Sequence, residues 1–235
     1  MKIYRETFER GPGGWHGWIS NFGGPKKLEY RPGGLTSRSP WWIDYNHAPP
    51  GAGYLHMLFT LQTKGPGFGE ALMEAGGENH FVEGGYPTDF TGARVSVTLH
   101  GELEARGAQL ALLVQGTIGG ICSGWVLTGR PFQVRTEPWT QTVQLDPDPC
   151  LWTPLGSRHD RRRSYGVHPL EQVLGDVNNN IMLILFPLTI VPMGPLEGDP
   201  HRLRAGWDYP VWTSRLPEGY VTLTGVEIEF GPEAG

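Results

Sequence analysis

Two consecutive runs near the middle of the chain alternate between hydrophobic and polar residues. In RVSVTLH, Val95, Val97 and Leu99 fall on one side, with Arg94, Ser96, Thr98 and His100 on the other. After a glycine-flanked charged stretch at 101–107, Leu110, Leu112 and Val114 resume the pattern opposite Gln109, Ala111 and Gln115. A period of two places successive side chains on opposite faces, which is the signature of a strand with one buried side. Two such runs across a short polar turn predict an antiparallel hairpin, here at the centre of a β-sandwich. Further strands are expected at residues 3–8, in GWVLTGRPFQV, in TQTVQL, and at 55–62. In the last of these, Leu55, Met57, Phe59 and Leu61 oppose His56, Leu58, Thr60 and Gln62. IMLILF at 181–186 is apolar on both faces and therefore central, while the closing run sets Val226, Ile228 and Phe230 against Glu227 and Glu229.

One helix is predicted over 169–177. Leu170, Val173, Leu174 and Val177 recur at helical spacing behind Pro169, and Asn178 to Asn180 end it. Pro49-Pro50-Gly51 forces a turn before the 55–62 strand. Residues 64–88 are glycine-rich and read as one long connection. The pattern predicts an all-β fold, an antiparallel two-sheet jelly-roll sandwich with one short helix, in which residues 1–235 form a single domain.

Composition fits that reading. The chain of 235 residues carries 35 glycines and 21 prolines, and they sit between apolar runs, where turns between short strands belong. Nine tryptophans call for a large buried or binding surface; Trp15 and Trp18 suit either a core anchor or one wall of a groove. The net charge of −5 argues against a nucleic-acid partner. No apolar run is long enough to span a bilayer as a helix, and the opening MKIYRETFERGPGGW has no signal-like core, so a cytoplasmic location and no membrane partner are expected. Two cysteines, Cys122 and Cys150, are too few for a disulfide scaffold and are expected to be reduced.

Three constellations could carry chemistry. The first is Trp41-Trp42-Ile43-Asp44-Tyr45-Asn46-His47, where aromatic faces suit sugar rings and the polar residues suit hydroxyls. The second is a set of histidines, His47, His56, His80 and His100; His47 and His56 with Asp44 or His80 have the ligand types for zinc, but match no compact metal motif, and no side-chain metal site is assigned. No cofactor is assigned either, although Glu6, Glu9 or Glu227 could contribute to a structural calcium. The third is LGSRHDRRRSYG, whose Arg158, Arg161, Arg162 and Arg163 could hold a carboxylate or phosphate beside His159 and Tyr165. The chain shows no phosphate loop, dinucleotide fingerprint or nucleophile elbow.

The order DFTGARVSVTLHG, AQLALLVQG, PWTQTVQLDPDPCLW, HPLEQVLGDVNNNIMLILFP and VTLTGVEIEFG resembles jelly-roll sandwiches of the concanavalin-like and carbohydrate-binding-module kind, and is distantly similar to laminin type IV domains. The resemblance implies the sandwich fold and a lectin-like carbohydrate ligand. It matches no family's diagnostic ligand motif and assigns no catalytic residue. Three readings stand. A binding protein would hold a glycan or another hydroxylated small molecule through Trp41, Trp42, Asp44, Asn46, His56, Gln115 and Arg161. A lyase or glycoside hydrolase would use His47, Tyr45 and Tyr165 for acid–base work, with Arg158 neutralising a carboxylate. An assembly subunit, including a homo-oligomer, would use exposed aromatics as a protein interface.

Overall fold

The computed structural model describes residues 2–20, 24–41, 54–65, 77–155, 168–188 and 216–231. Two antiparallel sheets share one hydrophobic core. The six-stranded sheet runs in the order β10 (Trp139–Gln144), β7 (Arg94–Glu104), β13 (Glu218–Glu229), β5 (Gly34–Arg38) and β4 (Glu29–Arg31), with β1 (Ile3–Glu6) also paired to β13. The seven-stranded sheet runs β11 (Thr153–Pro154), β9 (Ile121–Val126), β8 (Gln109–Ile118), β12 (Asn180–Leu188), β6 (Tyr54–Gln62), β2 (Trp15–Ser20) and β3 (Gly24–Lys26). The all-β sandwich is as the periodicity predicts. Among the described residues no helix is long and apolar enough to cross a membrane.

The predicted central hairpin is not one. β7 bonds to β10 and β13, whereas β8 bonds to β9 and β12 in the opposite sheet. Residues 105–108, with Arg106 and Gly107 both at positive φ, carry the chain across from one layer to the other. A period of two says that each strand has a buried face; it does not say which strand lies alongside. Both runs therefore keep their buried sides, Val95, Val97 and Leu99 against Leu110, Leu112 and Val114, but from facing layers.

The predicted helix forms as α2 (Leu170–Gly175), burying Leu170, Val173 and Leu174. IMLILF is the interior of β12, flanked by β8 and β6 and buried on both faces, as its composition requires. The long connection at 64–88 contains an element that the periodicity does not show, α1 (His80–Glu83), whose N-cap Asn79 accepts from the Phe81 and Val82 amides through Oδ1. GWVLTGRPFQV is strand only as far as Val126; beyond it Phe132 makes a single bridge to Leu110.

Two β-bulges shift the faces predicted from strict alternation. In β6 the register slips opposite Leu183/Ile184, so Leu58 and Phe59 are both buried in the shared core while Met57 turns to the outer side. In β13 the slip lies between Leu223 and Gly225, so the inward set is Val221 and Leu223, then Val226 and Ile228. Cys122 and Cys150 are both free thiols. Burial raises the Cys122 pKa, against the hydrogen bonds it receives from Asn179 and Thr117.

Candidate functional site

The two outer faces of the sandwich differ in kind. On the six-stranded sheet the outward hydroxyls satisfy one another: Ser96 with Thr142, Thr98 with Thr140, and Thr36 with Thr222, each at 2.8 Å. Thr224 donates to the Thr98 carbonyl, and Arg94 pairs with Glu229 at 3.0 Å. That face is wet and closed upon itself.

The outer face of the seven-stranded sheet is buried. Register fixes its rows. Gly124, Gln115, Asn180 and Gln62 stand side by side across β9, β8, β12 and β6. In the next row Val126, Leu113 and Met182 lead to Thr60 of β6 and His16 of β2. Ala111, Ile184 and Met57 follow, and with Phe186 and Leu155 they complete a second apolar cluster, separate from the core between the sheets. An apolar strip thus runs beside a line of amide, hydroxyl and imidazole groups on strands spaced about 4.8 Å apart.

Those polar groups are deeply withdrawn from water. Thr60 and His16 are fully buried, Asn180 is 5% exposed, and Gln62 and Gln115 are 7% exposed. Thr60 Oγ1 and Asn180 Oδ1 have no hydrogen-bond partner among the described residues. A desolvated polar group left unpaired costs about 1–3 kcal/mol, so these two, on neighbouring strands, point to a partner beyond these residues. The row holds no Asp, Glu, Lys or Arg side chain. His16 Nδ1 lies 3.1 Å from the Gly14 carbonyl and so donates to it.

Local sequence explains how the row is held. The consecutive asparagines 178–180 divide the work. Asn178 bridges the backbone of Thr117, accepting from its amide at 2.8 Å and donating to its carbonyl at 3.1 Å. Asn179 Nδ2 donates to Cys122 Sγ at 3.3 Å, and Asn179 Oδ1 accepts from Asn180 Nδ2 at 3.3 Å, which turns Asn180 Oδ1 toward the row. Gly124 supplies space: a Cβ there would stand 3.2 Å from Gln115 Nε2 and 2.7 Å from Leu155 Cδ1. Gln62 is tied through its carbonyl, which accepts from Asn79 Nδ2 at 3.0 Å.

Of the residues singled out from sequence, Gln115 lies in this row. His56 is in β6, opposite Leu185, but its side chain lies outside the description. Trp41 is a core residue. It is 7% exposed, packs in the shared cluster and donates its indole N–H to Ser37 Oγ at 3.0 Å, so its ring does not offer an open stacking face. A tryptophan ring in the core just beyond β5 is stabilised by burial. Trp42, Asp44, Tyr45, Asn46 and His47, and Arg158, Arg161 and Tyr165, lie outside the described residues. Among the described residues no group of three or more His, Cys, Asp or Glu side chains could hold a metal. His80 is engaged by Glu6 and Glu78, and Glu227 by Arg5. Asn180, Gln62, Thr60 and His16 are the members that sequence reasoning misses, and their one signal is a polar side chain at an outward position of a strand otherwise apolar on both faces.

No protein-family model matches the chain, and no curated protein matches it in sequence. Among solved structures it is similar to the N-terminal cellulose-binding domain of Cellulomonas fimi β-1,4-glucanase C, determined by NMR, with 13% identity over 97% of this chain and 95% of that one and a TM-score of 0.37.

Proposed function

We propose that the protein is a binding module for a neutral, hydroxylated ligand, a glycan chain being the best fit, and that the polar groups withdrawn from water on the outer face of the seven-stranded sheet are the ones that meet it. The observation that carries this is two adjacent buried rows, Gln115, Asn180 and Gln62 and then Thr60 and His16, with Thr60 Oγ1 and Asn180 Oδ1 unpaired among the described residues, beside the strip of Leu113, Met182, Ile184 and Phe186. Sugars present the matching chemistry: apolar C–H faces for the strip, and hydroxyls that donate to Asn180 Oδ1 and accept from the carboxamide N–H groups. The absence of a fixed charge in the row favours neutral over acidic sugars, since an acidic sugar would be desolvated there without a counter-ion.

The test is affinity electrophoresis and calorimetry of the full chain against hydroxyethyl cellulose, barley β-glucan, xylan, galactomannan and polygalacturonate. At least one neutral polymer binds, and Gln115→Ala and Asn180→Ala each weaken it roughly ten-fold, the worth of one hydrogen bond to a ligand. Binding by none of the neutral polymers, or binding indifferent to both substitutions, overturns the reading. The same incubations separate a binder from the lyase or hydrolase alternative, because only an enzyme leaves the bound polymer shortened.

A further inference from the structure

Near one end of the recognition row, a histidine is held between two carboxylates. His80 Nδ1 lies 2.7 Å from Glu6 Oε2, and its Nε2 lies 3.1 Å from Glu78 Oε2. Glu6 belongs to β1 and is 7% exposed; its other oxygen accepts from the Thr7 and Phe8 amides at 3.1 and 3.0 Å, so it is fixed. Glu78 precedes α1 and is exposed. These two carboxylates are the charged groups that meet the ring among the described residues.

The turn Gly13–Gly14 is wedged into this clasp. The His80 amide donates to the Gly13 carbonyl at 3.2 Å, and a Cβ on Gly13 would stand 2.0 Å from Glu6 Oε2 and 2.9 Å from His80 Nδ1. Gly13 is at φ +62 and Gly14 at φ +102, where glycine is favoured. Two short links run on from here to the row. The Gly14 carbonyl accepts from His16 Nδ1, and Asn79, next to His80 and packed on Gly14, donates to the Gln62 carbonyl.

We propose that His80 is a proton-controlled positioning residue for the recognition face: when protonated it ties α1 to β1 and to the Gly13–Gly14 turn, and so holds His16 and Gln62 in the row. This rests on the row being the recognition surface. Only an imidazolium can donate to Glu6 and Glu78 together; a neutral ring must turn a lone pair toward one of them. Glu6 is pinned by backbone amides, so deprotonation breaks the hydrogen bond to exposed Glu78 and reduces the ion pair with Glu6 to the weaker hydrogen bond of a neutral N–H, which loosens the tie between α1 and β1. Burial alone would lower the His80 pKa, but the hydrogen bonds and attraction of Glu6 and Glu78 outweigh it and raise the pKa above the ordinary 6.5. The folded protein therefore holds this proton more tightly than the unfolded chain. The clasp's stabilisation is complete below pH 6.5 and fades as pH climbs through the folded-state value.

Side-chain NMR of the labelled full chain between pH 5 and 8.5, without ligand, tests this. The Gln62 carboxamide signals move with the same midpoint as the His80 ring. In Glu78→Gln that midpoint falls and the Gln62 transition falls with it, and in His80→Gln the Gln62 transition is absent. A Gln62 signal that stays still while His80 titrates, or that keeps the wild-type transition in either variant, overturns the proposal. Because no polysaccharide is present, a failed binding screen would count against the recognition reading alone and leave this coupling to be judged on its own.

Discussion

The Thr60 hydroxyl sets the terms at the scale of single residues. It is fully buried, faces Met182 across the β6–β12 ladder, and has no partner among the described residues. An unpaired buried hydroxyl costs stability, whereas a structural one is satisfied already, like Thr36 against Thr222. Replacing Thr60 with Val keeps the shape and removes the orphan. Chemical denaturation of Thr60→Val is expected to show unchanged stability or a gain of about 1 kcal/mol, while affinity for the polymer bound by the wild type falls several-fold. A substantial loss of stability would mean that the hydroxyl is satisfied within the fold. Gln115 was legible in the sequence as a polar position on an apolar strand. Asn180 was not, because it falls in an asparagine run that reads as a helix stop.

Individual strands show where local pattern gives way to packing. β7 and β13 pass so closely at their glycines that a Cβ on Gly219, at φ +125, would stand 1.9 Å from the Glu102 carbonyl oxygen, and one on Gly101 would stand 2.2 Å from that of Tyr220. A backbone oxygen cannot swing aside as a side chain can. Gly219→Ala is expected to cost roughly 2–4 kcal/mol, read as a lower denaturant midpoint at unchanged slope, through strain and local loss of the ladder. The bulges in β6 and β13 belong to the same scale. Each adds one residue to a strand and turns the side chains beyond it to the opposite face, which is why Met57 leaves the core line that Phe59 and Leu61 keep.

At the scale of the whole molecule, one core joins both sheets. Val97, Leu99, Val221 and Ile228 of one layer pack with Phe59, Leu112, Leu183 and Leu185 of the other, and α2 adds Val173 and Leu174. Layers that bury the same interior have no independent way to open. Calorimetry is expected to show a single transition with equal calorimetric and van't Hoff enthalpies, indifferent to reductant because both thiols are free. Two separated transitions would divide the chain into more than one folding unit.

Alternation by itself determined that β1, β6, β7, β8, β9, β10, β12 and β13 are strands, that β12 is central, where α2 lies, and which side of β7 is oily, but it did not show β2 to β5 or β11. Those are properties of a few adjacent residues, fixed by side-chain period and by water's exclusion from apolar surface. Which strand pairs with which, where a bulge reverses the faces, and the gathering of Gln115, Asn180, Gln62, Thr60 and His16 from four strands into two adjacent buried rows were decided only by the tertiary structure. Hydrogen-bonded neighbours in a sandwich are distant in sequence, and the partner a strand finds depends on the shape of the entire core rather than on its own pattern.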